Sequence, residues 1–306
     1  MIFADILPQL QSKENGDILK NTIKMFIHNA IIALFLSYSS GLIFAQTSLN
    51  FTNCGQSGKT GPNQSQVNSE YSGTSLAGLV TINTLGIQEW TVPTTGTYTI
   101  EASGAQAGNA TSHSNHPGGK GAVMQGDFDL SAGQVIYILV GQQGGTYSSC
   151  SAGGGGTFVV KKMGSGVSNA QIADILVIAG GGGGVQGQAG DGGVTGTSGS
   201  QLPGATSGVT AGSNGYGGQN GHGQPGAGFR GNATGWFHHG GTGALAFING
   251  GTGGDNNIDG GFGGGGAAQN VATGGGGGYS GGSDGGNHNG VSAGGGGSYN
   301  AGSNPS

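Results

Sequence analysis

Lys59 stands in the triplet Gly58-Lys59-Thr60, the ending with which a phosphate-binding loop holds a nucleotide. That loop also needs a glycine five residues before Gly58, where Asn53 stands, with a strand before it and a helix after it. Gly61-Pro62 argues against a helix there, so no nucleotide is expected. Gly250-Gly251-Thr252-Gly253-Gly254-Asp255 fits one unit of a calcium-binding nonapeptide, but Asn257 takes its apolar position and no tandem copy follows. His222, His238, His239 and His288 are metal-ligating types. Adjacent histidines in an irregular segment point apart, however, and no Cys or carboxylate stands at ligand spacing. They read as exposed histidines, and no metal or cofactor is expected.

Asp127 and Asp129 lie two apart on an expected strand and so share one of its faces. Paired carboxylates can do acid–base chemistry, but Phe128 and Leu130 point the other way, which reads as a solvent-facing edge over a buried side. No serine or cysteine has a nucleophile's context. Cys54 and Cys150 allow at most one disulfide and read as that pair or as isolated thiols. Asn-x-Ser/Thr sequons begin at Asn50, Asn63, Asn109 and Asn232. No catalytic residues emerge, and the chain is read as a non-enzyme.

The elements that must position these residues are unusual. From Gly180 to Ser306 the chain carries 51 of its 76 glycines. Glycine brings no side chain to bury and loses the most backbone freedom on ordering, so a hydrophobic core cannot hold this segment. Disordered tails are rich in charge and poor in aromatics. This one has Asp191, Asp255, Asp259, Asp284 and Arg230 as its only charges, yet holds Tyr216, Phe229, Trp236, Phe237, Phe247, Phe262, Tyr279 and Tyr299. It is therefore expected to order as extended, three-residue-per-turn helices packed backbone against backbone. Collagen is excluded because Gly274 to Gly278 breaks its period. Charged residues make up 7% of the chain and the net charge is -5, which argues against nucleic acid and anionic membranes as partners. Lys20 and Lys24, an apolar run from Ala30 to Ala45 and Ile43-Phe44-Ala45 before Gln46 read as a secretory leader over 1–45, starting at Met25 and cleaved after Ala45. That makes the chain secreted or surface-exposed, with a membrane involved only through a downstream anchor.

Between Leu79 and Ala179 short strands alternate with turns: 79–82, 86–92, 96–102, 122–130, 135–140, 157–160 and 175–179. This spacing predicts an all-β antiparallel sandwich over 46–179, with 135–140 as a central buried strand. No helix is expected after Ala45.

A resemblance joins these pieces. Phe51-Thr52-Asn53-Cys54-Gly55, Gly61-Pro62, Gly86-Ile87-Gln88-x-Trp90-x-Val92-Pro93, Gly96-x-Tyr98-x-Ile100, Gly104-Ala105, Tyr137 to Gly144, Gly153 to Val159, Gly260-Gly261-Phe262-Gly263 and Gly278-Tyr279-x-Gly281-Gly282 fall in order. This pattern, from about Phe51 to Tyr299, resembles the extracellular glycine-rich region of the anaplastic lymphoma kinase and leukocyte tyrosine kinase receptors, without a kinase. The resemblance implies a tumour-necrosis-factor-type jelly-roll sandwich with an inserted bundle of packed polyglycine II helices, and a site for a protein ligand. Val67 stands near the receptors' second cysteine, so their local disulfide cannot form. The portion 180–306 ends before the closing strand that the resemblance implies.

The function expected is non-catalytic recognition of an extracellular protein or glycan, with Trp236 and Phe237 as binding residues. The alternatives are a self-associating structural or adhesive matrix protein and a ligand-binding ectodomain fragment of a receptor tyrosine kinase.

Overall fold

Apolar alternation becomes strand where the sequence places it. β1 (Val80–Thr84), β2 (Ile87–Thr91), β3 (Gly96–Ser103), β4 (Val123–Leu130), β5 (Val135–Leu139), β6 (Thr157–Lys161), β7 (Ile175–Ala179) and β8 (Tyr299–Asn300) follow in chain order. They form two antiparallel sheets, a six-stranded one ordered β1-β2-β5-β6-β7-β8 and the hairpin β3-β4. The computed structural model describes residues 48–112, 116–201, 208–219, 223–235, 241–269, 272–285 and 290–306. The expected leader over 1–45 and the residues His222, Trp236, Phe237, His238, His239 and His288 lie outside them.

β5 sits inside the large sheet and its period of two feeds both faces. Ile136 and Ile138 point one way, into a core shared with Trp90, Val159 and Val177 and with Ala102, Met124, Phe128 and Leu130 of the hairpin. Tyr137 and Leu139 point the other way, into a second core with Ile87, Phe158, Val160 and Ile178. That second core is closed by Phe229, Phe247, Phe262 and Tyr279, all from the glycine-rich segment. Phe158 stacks on Phe247 at 5.1 Å and Phe247 on Phe229 at 5.5 Å, so three rings join sheet to glycines. Burial on both sides explains why β5 and β7 are unbroken apolar runs.

Two elements depart from the sequence expectations. Gln64–Glu70 is an α-helix, α1, where none was expected. Asn63 caps it by accepting from Gln66 N at 3.0 Å, and the Gln66 side chain accepts from Asn63 N at 2.8 Å, a reciprocal capping box. Pro62 stands before the cap, where its missing N–H costs the helix nothing. The second is β8, beyond the glycine runs where the sequence marks no strand. Tyr299 pairs with Ile178 and Asn300 with Val177. The chain then crosses to the other sheet, where Ser303 pairs with Asp127 of β4. A strand of two residues carries no alternation by which to be recognised.

The glycine runs are buried and lie outside helix and sheet. Their amides answer the question of where buried backbone finds partners. Gly274 and Gly277 donate to Ser151 O and Gly154 O, Gly275 and Gly278 to Gln224 O and Ala227 O, and Gly276 and Tyr279 to Gly294 O and Gly297 O, all at 2.7–3.3 Å. Successive residues thus turn to three different neighbours, and every third residue returns to the same one. Gly153 and Gly156 likewise both reach the segment 263–266, and Gly181 and Gly184 both reach 274–277. Side chains are excluded by proximity: a Cβ at Gly277 would lie closer than 3.0 Å to Gly263 O, and one at Gly155 closer than that to Phe262 O. From Leu49 to Ser306 sandwich and glycines form one compact unit.

Candidate functional site

The two motifs that most suggested ligand chemistry are bound to each other. Lys59 Nζ lies 2.7 Å from Asp255 Oδ1 and 3.3 Å from the Asp259 carboxylate. The positions are fixed by backbone: Phe262 N donates to Gly58 O and Gly253 N to Lys59 O, at 2.8 and 2.9 Å. The lysine of the phosphate-loop-like triplet thereby neutralises the aspartate of the nonapeptide-like segment. The hydrogen bond from Lys59 holds the Asp255 carboxyl below its ordinary range, and Asp255 holds the Lys59 ammonium above its own. All three side chains are 31–50% exposed, so water screens the cluster to on the order of 0–1 kcal/mol. It is a tie between segments.

Asp127 and Asp129 face Thr99 and Thr97 across the hairpin at 2.6 Å each, and Asn304 donates to Asp127 at 3.0 Å. Bonds from Asn304 and then Thr99 hold the Asp127 carboxyl below its ordinary value, keeping it an ionised acceptor. Nothing in that arrangement keeps a proton ready for general acid chemistry.

Of the two readings left open for Cys54 and Cys150, a disulfide pair or isolated thiols, the structure has the second: both are free and buried. Cys54 belongs to the sandwich core with Val67 and Tyr71, while Cys150 packs with Ala152, Ile258 and Ala268 and donates to Gln269 O at 2.6 Å. The two thiols thus belong to separate buried clusters. Burial raises both, Cys150 to about 11. Thiolate is therefore scarce at neutral pH, the reverse of a nucleophile's setting. Among the sequons, Asn50, Asn63 and Asn109 are exposed, whereas half-buried Asn232 uses its Oδ1 to accept from Ala246 N and Asn249 Nδ2, each at 2.8 Å. Among the described residues no group of three His, Cys, Asp or Glu could hold a metal.

One arrangement is invisible in linear spacing. The Arg230 guanidinium lies 4.5 Å over the centroid of the Tyr216 ring. Arg230 is exposed, and Tyr216 is 54% exposed. Their backbones are fastened: Arg230 N and Gly231 N both donate to Gly215 O, and Gly281 N donates to Tyr216 O. Just before Arg230, Phe229 N donates to Tyr279 O and the Phe229 ring is buried on Phe247. The cue in the sequence was that Arg230 is the chain's sole arginine, and no motif links it to Tyr216.

With this geometry in place, likeness to other proteins can be weighed. No family model matches the chain. Over 99 residues it is 41% identical to the leukocyte tyrosine kinase receptor of Mus musculus, a stretch covering 31% of this chain and 11% of that receptor. The chain therefore spans a small part of that relative's length, and the likeness relates it to a part of that receptor. No helix among the described residues is long and apolar enough to cross a membrane.

Proposed function

We propose that the chain is a secreted or cell-surface, non-catalytic recognition module that binds an extracellular protein or glycan. The observation that carries this reading is the backbone network of the glycine segment. It fixes surface loops such as those bearing Tyr216 and Arg230 to a buried scaffold, and rigid presentation lowers the ordering cost of binding. In this reading the glycine runs are polyglycine II helices, which the three-residue repeat of hydrogen bonds supports. The two antiparallel sheets make a jelly-roll sandwich of tumour-necrosis-factor type, entered through the secretory leader.

The identity to the mouse receptor favours one narrower form, a ligand-binding ectodomain fragment of a receptor kinase. Trp236 and Phe237 are assigned to the contact surface. Fluorescent, tetramerised chain applied to cells tests the reading. Saturable binding supports it, and its absence across a panel of cell types contradicts it. Changing both Trp236 and Phe237 to alanine should abolish that binding with thermal unfolding unchanged, whereas a collapse of stability would assign the two rings to packing.

A further inference from the structure

We propose that Arg230 and Tyr216 form a docking point for a carboxylate side chain, an aspartate or glutamate in an exposed acidic segment of a partner protein. The proposal rests on the recognition reading above and gives it a ligand chemistry. A guanidinium carries five N–H donors in a planar fork that matches a carboxylate two bonds at a time. Lys59 and Lys162 are each already held by carboxylates at 2.7 Å. Among the described residues no ion pair engages Arg230. Its contact is the Tyr216 ring, 4.5 Å from the guanidinium carbon, a cation–π contact that uses the positive charge without supplying a carboxylate to the N–H donors.

The pair is built rather than incidental. Gly215 O receives both Arg230 N and Gly231 N, at 2.9 and 3.2 Å, which turns the chain at this point. A Cβ at Gly231 would come closer than 3.0 Å to the Tyr216 ring and Cα, so the two loops meet only because glycine stands there. Tyrosine and arginine are among the side chains that most often dominate binding energy at protein interfaces, and both lose less entropy when already held. On a chain of net charge -5 a broad acidic surface would be repelled, so attraction has to be local, one carboxylate at one arginine. A sugar would stack on the ring face that the guanidinium already covers, which favours an acidic peptide over an acidic glycan.

A single arginine gives a single Nε–Hε signal in the spectrum of the full ¹⁵N-labelled chain. That chain is titrated with acetylated, amidated Gly-Glu-Gly-Glu-Gly, with its Gln-for-Glu counterpart and with sialyllactose. The expected result is a saturable shift with the Glu peptide alone, with a dissociation constant on the order of 1 mM for so short a probe. Arg230→Gln should weaken binding, followed by the peptide's own signals, about tenfold or more, and Tyr216→Leu by a smaller factor, with unfolding temperatures unchanged. An unmoved Arg230 signal, an equal response to the Gln peptide, or a response to sialyllactose in place of the Glu peptide would each overturn the proposal. Cell-surface binding retained by Arg230→Gln would also sink this docking point while leaving the recognition reading intact; absence of cell binding by the unaltered chain sinks that reading instead.

Discussion

The sandwich and the glycine segment bury backbone and side chain in opposite proportions. In the sandwich, strands stand apart and the space between sheets is filled by Trp90, Met124, Phe128, Ile138 and Val177. In the glycine segment the space is removed, and chains approach until carbonyl oxygen meets Cα. One region is specified by what its side chains fill, the other by their absence. The two are joined where each lends the other what it lacks, at the Phe158, Phe247 and Phe229 stack.

That contrast is sharpest under the addition of one methyl group. Gly277→Ala places a carbon against the Gly263 carbonyl, a backbone atom that cannot rotate away. Urea unfolding should show a loss of about 5 kcal/mol or more, or no folded chain. The seam comes next. Phe247→Ala empties a ring-sized space between the regions and should cost about 3–5 kcal/mol by the same measurement. In the sandwich, Ile138→Val removes a carbon that neighbours partly replace, and about 0.5–1.5 kcal/mol is expected. A glycine change no costlier than that last one would erase the distinction.

The smallest effect is the electrostatic tie. Lys59→Met should change stability by under about 1 kcal/mol near neutral pH, as for exposed ion pairs. Its pH dependence has a definite sign. The folded Asp255 carboxyl is depressed, so its contribution is present above the ordinary value of 3.8 and fades as pH falls through the lower folded value. The Lys59 ammonium is raised, so its contribution holds below 10.5 and fades as pH climbs through the higher folded value. Thermal unfolding of both proteins should converge at acid pH. A difference that grows on acidification would contradict this. The thiols give a check without energetics: iodoacetamide should leave the native chain unlabelled and add two groups after unfolding without reductant, whereas a disulfide would add none.

The strands were legible because period-two patterning and apolar runs are local signals, and β2 to β7 lie within a residue or so of the stretches the sequence marks. α1 carried its own signal, Asn63 with Gln66 three residues on, but Gly61-Pro62 masked it; proline blocks a helix interior and not the position before its cap. β8 is set by register with β7 alone and has no local signature. The glycine segment announced that it was ordered through its aromatics, yet which run meets which is fixed by carbonyl positions, and glycine runs are identical as letters. The same degeneracy hid the site. Lys59 and Asp255 looked like halves of two unrelated ligand sites, and Tyr216 and Arg230 like scattered loop residues, until the packing of distant segments paired them.

The glycine runs are held backbone to backbone. Hydrogen exchange read by mass spectrometry on the chain checks this run by run. Amides in 153–156, 181–184 and 274–278 should exchange as slowly as those of β5 and β6. Exchange at the free-peptide rate in these runs, with the sandwich still protected, would contradict the account.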